Sequence, residues 1–143
     1  MRLIIAGSRH FPEGVADRLV TAAMNRIGFM PTVIISGAAR GIDQAGERWA
    51  IARGVPVERH PADWNAHGRA AGPIRNREMA EVADAALVIW DGSSKGSKNM
   101  LATAKKLGLR VFEVVVLESS GKAAFFAHPS PETANPPMSR GSR

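Results

Sequence analysis

The chain has 143 residues, 45% of them apolar in type, and carries 19 Lys and Arg against 13 Asp and Glu for a net charge of +6. That length gives one domain with enough interior for a core, and the absence of cysteine excludes disulfides, thiolate metal sites and cysteine nucleophiles and fits a reducing, cytoplasmic setting. The basic balance admits nucleic acid, nucleotides or other anions as partners, and equally a solvated basic surface; no apolar run reaches membrane-span length, and the first residues enter a strand pattern rather than a signal peptide.

Arg2 to Ala6 is an apolar, β-branched run that predicts a strand, followed by Gly7-Ser8-Arg9-His10. Phe11-Pro12 opens a helix in which Val15, Leu19, Ala22, Ala23 and Ile27 recur at helical spacing up to Gly28. Thr32 to Ser36 is the second strand, Gly37 to Gly41 a short loop, and the next helix sets Ile42, Ala45, Trp49 and Ala52 on one face before Gly54. Val55 to Arg59 mixes charge with Pro56, as an edge strand does. His60 to Gly72 is a polar loop of a length that is commonly functional in a compact domain. Gly72-Pro73 starts a helix over 74–83 whose first turn holds Arg75 and Arg77, the end at which cations are disfavoured unless an anion sits there. Ala85 to Trp90, apolar throughout, is a central strand. Asp91 to Ser97 is the loop after it, a helix runs from about Lys98 to Leu107, and Arg110 to Leu117 is the fifth strand. Residues 118–143 are rich in Gly, Pro and Ser and are expected to form a flexible tail, with Phe125-Phe126 loose in it.

This alternation predicts a three-layer α/β fold over residues 1–117, with a five-stranded parallel sheet in the order 3-2-1-4-5. Ligands of such sheets bind beyond the carboxyl ends of the strands, at the switch point between strands one and four. The loops meeting there carry Gly7, Ser8 and Arg9; Ser36, Gly37, Arg40, Gly41 and Asp43; Arg75 and Arg77; and Asp91, Gly92, Lys95, Gly96 and Ser97. Glycine backbones, helix N-termini and arginine forks all suit phosphate, so these residues are the expected ligand site. A broader nucleic-acid surface is the alternative. The P-loop Lys-Ser/Thr and the three-glycine dinucleotide spacing are both missing, so no nicotinamide or other cofactor is expected.

Asp43, in the first turn of its helix, suits a capping role or a pair with Arg40. Asp91 can bind a ribose hydroxyl, stabilise a cationic sugar-like transition state, or close a turn on its own backbone. His10 suits either a general base or a solvated loop side chain. Together with His60, His67 and His128 it shows no metal-ligand spacing, and no metal site is expected. Trp64 and Trp90 can stack on a base, although Trp90 ends a buried strand and packing suits it better.

Five stretches carry a family resemblance: Ile5-Ala6-Gly7-Ser8-Arg9, Ser36-Gly37-Ala38-Ala39-Arg40-Gly41-Ile42-Asp43, Pro61-Ala62-Asp63-Trp64, Gly72-Pro73-Ile74-Arg75-Asn76-Arg77-Glu78-Met79, and Trp90-Asp91-Gly92 with Gly96-Ser97. They resemble the SLOG superfamily, which joins Smf/DprA proteins, LOG-type phosphoribohydrolases and YspA- and YpsA-related proteins, and within it the YspA-like, cpYpsA-related branch. The resemblance spans residues 2–117 and implies a Rossmann-like fold that binds nucleotides, their derivatives or nucleic acid. The run from Ser36 to Asp43 and Arg75-Asn76-Arg77 look like the DprA signature, which implies single-stranded DNA as an alternative partner. LOG-type enzymes cleave a nucleoside monophosphate with an Arg-Lys pair and a glycine loop ending in Glu. Arg75 and Asn76 fall on that pair, Gly96-Ser97 on the loop, and Met100 on the Glu. Cleavage by this chain would therefore need Asp91 or another acid, beside Arg75, as its catalytic group. The reading taken forward is binding of a nucleotide-derived small molecule at the residues named, Asn76 included, with N-glycosidic hydrolysis and single-stranded nucleic-acid binding as alternatives, no membrane partner, and a homodimer as a guess from related folds.

Overall fold

The computed structural model describes residues 1–117 and 122–128. Strands β1 (Arg2–Gly7), β2 (Val33–Ser36), β3 (Val57–Arg59), β4 (Ala85–Trp90), β5 (Arg110–Leu117) and β6 (Lys122–His128) form one sheet in the order β3-β2-β1-β4-β5-β6. The first five are parallel, and β6 runs antiparallel to β5. Helices α1 (Glu13–Ile27), α2 (Ile42–Ala52), α3 (Trp64–His67), α4 (Ala71–Val82) and α5 (Lys95–Lys106) connect them.

The alternation of side chains along β1 divides the core. Leu3 and Ile5 face the layer of α1 and α2, with Val20, Ala23 and Trp49. Ile4 and Ala6 face the layer of α4 and α5, with Met79, Met100, Leu101 and Ala104. Strand β4 is buried along its whole length, as its continuous apolar run requires of a strand covered on both faces. Helix α1 begins after Pro12, whose carbonyl accepts from the Ala16 N–H at 2.9 Å, and ends at Gly28 with φ 83°.

Three expectations need correction. The sheet has six strands, because residues 122–128, assigned from composition to a flexible tail, pair with β5 from Val111–His128 to Leu117–Lys122. Phe125 packs on Phe112 with ring centroids 6.1 Å apart, and the Arg26 guanidinium lies 4.7 Å from the Phe125 ring centroid; the remaining tail residues, 118–121 and 129–143, lie outside the described residues. Helices α4 and α5 each start three residues earlier than expected. Pro73 sits within the first turn of α4, where its missing N–H leaves no bond unmade. The long loop after β3 holds α3, whose cap is Asp63 accepting the Ala66 N–H at 3.0 Å, and a 3₁₀ turn at Gly68–Ala70.

Candidate functional site

The carboxyl ends of β1, β2 and β4 open onto one cleft, and Ser8 ties their loops together. Its N–H donates to the Ile89 carbonyl at 3.1 Å, its own carbonyl accepts from the Ile42 N–H at 3.3 Å, and its Oγ accepts from the Asp91 N–H at 3.3 Å and lies 3.1 Å from the Ser94 Oγ. Ser36 supports the next loop from below. Its buried hydroxyl donates to Glu47 Oε2 at 2.6 Å and accepts the Ala38 N–H at 3.0 Å, and Glu47 in turn holds Arg59 Nε at 2.8 Å. Ala38 stands at φ 63°, the left-handed region that side chains avoid, and Gly41 at φ 75°. At Ala38 the loop therefore holds a conformation that an alanine would not choose in isolation, while glycine adopts it freely at Gly41.

Arg75 and Asp43 lie in the wall of the cleft, both buried. Arg75 donates from Nη1 to the Gly37 carbonyl at 2.5 Å and from Nε to Asn76 Oδ1 at 3.0 Å. Asn76 passes the connection on, donating to Asn99 Oδ1 at 2.9 Å and to the Gly96 carbonyl at 3.3 Å, so the starts of α4 and α5 are locked. Asp43 Oδ2 accepts the Ala39 N–H at 3.2 Å, while Oδ1 has no hydrogen-bond partner among the described residues. Burial pushes Asp43 up to about 6, against the opposing pull of Arg75, the Ala39 and Gly7 N–H groups and Arg9. Burial likewise lowers Arg75 from the ordinary arginine value, with Asp43 opposing it. The charge partner of Asp43 is thus Arg75 rather than the Arg40 suggested by sequence proximity.

A cavity of about 530 Å³ opens between the loop after β1 and the first turns of α4 and α5. Gly7, Ser8, Arg9, Asp43, Arg75, Asn76, Lys95, Gly96 and Ser97 of the expected site all line it, together with Trp64, Arg69, Asn99 and an apolar floor of Ala6, Met79 and Met100. Beside it a smaller cavity of about 260 Å³ is lined by Gly37, Ala38, Arg40, Pro61 and Ala62, and it shares Arg9, Ala39, Trp64 and Arg75 with the first. The Arg9 guanidinium lies 5.5 Å from the centroid of the Trp64 ring between the two. Trp64, Arg69 and Asn99 were not in the expected ligand set; the signal was the length of the loop from His60 to Gly72, which supplies two of them.

Five of the expected residues line neither cavity. Ser36 is taken up beneath its loop. Gly41 packs against the backbone of Ser8 and Arg9. Arg77 projects outward to Glu81 at 3.4 Å, because one residue beyond Asn76 turns to the outer face of α4. Asp91 closes its own turn, with Oδ1 accepting the N–H groups of Ser93 and Ser94 at 2.8 and 2.9 Å and Oδ2 3.7 Å from His10 Nδ1, and Gly92 forms the turn at φ 86°. Burial raises Asp91, but those two N–H groups, the Ser93 hydroxyl and His10 outweigh it and hold the carboxyl below its ordinary value. Trp90 is buried, with its indole N–H donating to Glu113 Oε2 at 2.8 Å. Among the described residues no three His, Cys, Asp or Glu side chains cluster as metal ligands would, and no helix is long and apolar enough to cross a membrane.

A mostly parallel α/β sheet with a basic, glycine-rich cleft at its switch point defines a Rossmann-like protein. Residues 1–67 match the profile of the YspA, cpYpsA-related SLOG family. The Gene 61 protein of Mycobacterium phage D29 is 34% identical over 122 residues, an alignment covering 77% of this chain and 93% of that protein. The chain belongs to the YspA, cpYpsA-related SLOG family. Its fold is similar to that of DNA processing protein A (DprA) from Streptococcus pneumoniae, with a TM-score of 0.57 at 19% identity. That match covers 78% of this chain, which spans about half the length of the solved structure, 49%.

Proposed function

We propose that the cleft binds a nucleotide or a nucleotide-derived phosphorylated ligand. One observation carries the reading: Arg9 and Arg75 stand in the wall of a cavity of about 530 Å³ that also has an apolar floor of Met79 and Met100 and the first turn of α5 at its edge. That volume lies in the range of small-molecule sites, about 300–1,000 Å³. Arginine forks and the N–H groups of a helix start suit phosphate, and the apolar floor suits a base. Arg9, Lys95 and the Gly96 N–H are the phosphate-facing groups in this reading, and Trp64 offers an exposed ring for stacking. The reading stops at binding. By the family resemblance, Met100 falls on the position of the LOG-type glutamate, and Asp91 lines neither cavity.

Thermal-shift and calorimetric titration with adenosine, guanosine, cytidine and uridine monophosphates tests it, with Arg9→Ala as control. Stabilisation by at least one of them that disappears in Arg9→Ala is the expected result. No response to any, or one indifferent to Arg9→Ala, counts against the cleft.

The likeness of fold to a DNA processing protein, together with the net charge of +6, favours a second reading, single-stranded nucleic acid across the same face. Its signature is oligonucleotide binding whose affinity falls steeply as salt rises, with no response to mononucleotides.

A further inference from the structure

The two edges of the sheet are built differently. Strand β3, at one edge, has three residues, follows Pro56 and carries Glu58 and Arg59. Shortness, proline and charge are the features by which edge strands resist pairing with another chain. Strand β6, at the other edge, has seven residues, and neither charge nor proline interrupts it from Ala123 to Ala127. In an antiparallel ladder alternate residues turn their N–H and C=O groups to one side. Strand β5 takes one set, and no strand among the described residues pairs with the other. Ala123, Phe126 and Ala127 are exposed, Phe126 by 47%.

This strand is complementary to a second copy of itself. A two-fold axis perpendicular to the sheet sets two copies of β6 antiparallel and keeps each face of the sheet on its own side. Because side chains alternate between the faces, odd positions then pair with odd and even with even. An axis through Phe125 pairs the whole strand. Phe125 meets the partner's Phe125, Phe126 meets the partner's Ala124, and Ala123 meets the partner's Ala127. The Phe125 ring is already braced, by Phe112 at 6.1 Å between centroids and by the Arg26 guanidinium at 4.7 Å, so an aromatic pair forms at the axis from rings held in place. Phe126 finds a small residue across the seam, large against small. At each end Lys122 comes opposite the partner's His128. His128 Nε2 lies 2.8 Å from Glu113 Oε1, so an acid accompanies the two basic groups there.

We propose that β6 is a dimerisation edge, on which a second copy of this chain pairs antiparallel about Phe125 and joins the two sheets into one. No residue of β6 lines either cavity, so the edge is separate from the cleft.

The experiment is light scattering on the full chain across a wide range of concentration, with twice the mass of one chain expected at the upper end. The double variant Ala123→Lys with Ala127→Lys sets like charges directly opposite each other at two places across the seam. It is expected to be monomeric, with circular dichroism close to wild type, since both positions are exposed. Cross-linking reads the register independently, because the chain has no cysteine of its own. Ala123→Cys mixed with Ala127→Cys brings the two thiols to directly opposite positions, about 4.5–5.5 Å apart at Cα, a separation that a disulfide spans. Either variant alone leaves its two thiols four residues apart along the strands, about 13 Å, which a disulfide cannot span. The mixture is expected to oxidise to a covalent dimer roughly tenfold or more faster than either variant alone. A monomer at every concentration overturns the proposal. So does a dimer that persists in a folded double-lysine variant, and so does cross-linking of either single variant as fast as the mixture.

Discussion

The Arg75 guanidinium donates to the Gly37 carbonyl at 2.5 Å, fastening the start of α4 to the end of β2 inside the cleft wall. It also lies beside the buried Asp43 carboxylate. Arg75→Ala therefore leaves a buried carbonyl and a buried carboxylate without their cation. Leaving a buried acceptor without its charged donor costs about 1–3 kcal/mol, and urea denaturation of Arg75→Ala should show a loss of that order. Arg75→Lys should recover only part of it, because an ammonium cannot span Gly37 and Asn76 as the planar fork does. Wild-type stability in Arg75→Ala would mean that the contact contributes nothing to the fold.

Two glycines of the cleft separate by the space around them. A Cβ on Gly37 would meet the Arg75 guanidinium and Asp43 Oδ2 inside contact distance, whereas a Cβ on Gly96 has nothing within 4 Å. Gly37→Ala is expected to destabilise by about 1–3 kcal/mol, the range for forcing extra atoms into a packed site. Gly96→Ala, inside the first turn of α5, is expected to be neutral or to stabilise by up to about 1 kcal/mol. Thermal unfolding of the two variants side by side checks the contrast.

The burial of Asp43 sets the sign of an expected pH dependence. Its folded-state value is raised from 3.8 to about 6, so the folded state holds the proton more tightly than the unfolded chain. The stabilisation is full below the unfolded value and is lost as pH rises through about 6. A shift of that size corresponds to roughly 3 kcal/mol over the whole range, of which about 2 kcal/mol falls between pH 4.5 and 7.5. Asp43→Asn removes the titration. Its stability relative to wild type should therefore improve by about 2 kcal/mol on going from pH 4.5 to 7.5, whatever the offset at either end. Chemical denaturation across that range gives the difference, and a flat difference would place the Asp43 titration elsewhere.

The five parallel strands of this fold were legible because each has a simple signal. Strand β4 is a continuous apolar run, which only a doubly covered strand accommodates, and its bounds at Ala85 and Trp90 follow from sequence alone. Strand β6 was not legible. Its flanks are rich in Gly, Pro and Ser, and its apolar content is two phenylalanines and three alanines, so composition outweighed a docking that depends on Phe112 in another strand. The cleft divides similarly. Loop residues placed by β-strand ends, such as Arg9 and Arg40, could be located from topology. Inside helix α4 the 100° step between neighbours decides, and it buries Arg75 and Asn76 while turning Arg77 to solvent. Sequence showed three basic or polar neighbours without saying which face the sheet would cover. The Asp43–Arg75 pairing was invisible for a related reason, since the two lie on different helices that meet only after the crossover is made.

Asp91 supplies the sharpest test between a turn residue and a reacting group. Its Oδ1 accepts the N–H groups of Ser93 and Ser94, which fixes the turn leading into α5, and its lowered value keeps it ionised at neutral pH. Asp91→Ala strips both N–H groups of their acceptor and is expected to cost about 1–2 kcal/mol, whereas Asp91→Asn keeps a carbonyl oxygen in place and should cost less. Because the folded-state value lies below the unfolded one, the stabilisation is present above about 3.8 and disappears as pH falls through the folded value. The gap between Asp91→Ala and wild type should accordingly narrow in acid. Neither substitution should change the affinity of a nucleotide for the cleft by more than about threefold, since Asp91 lines neither cavity. The opposite pattern, wild-type stability with release of free base from a nucleoside monophosphate that Asp91→Asn abolishes, would make Asp91 the carboxylate of an N-glycosidic cleavage and overturn its assignment as a turn residue.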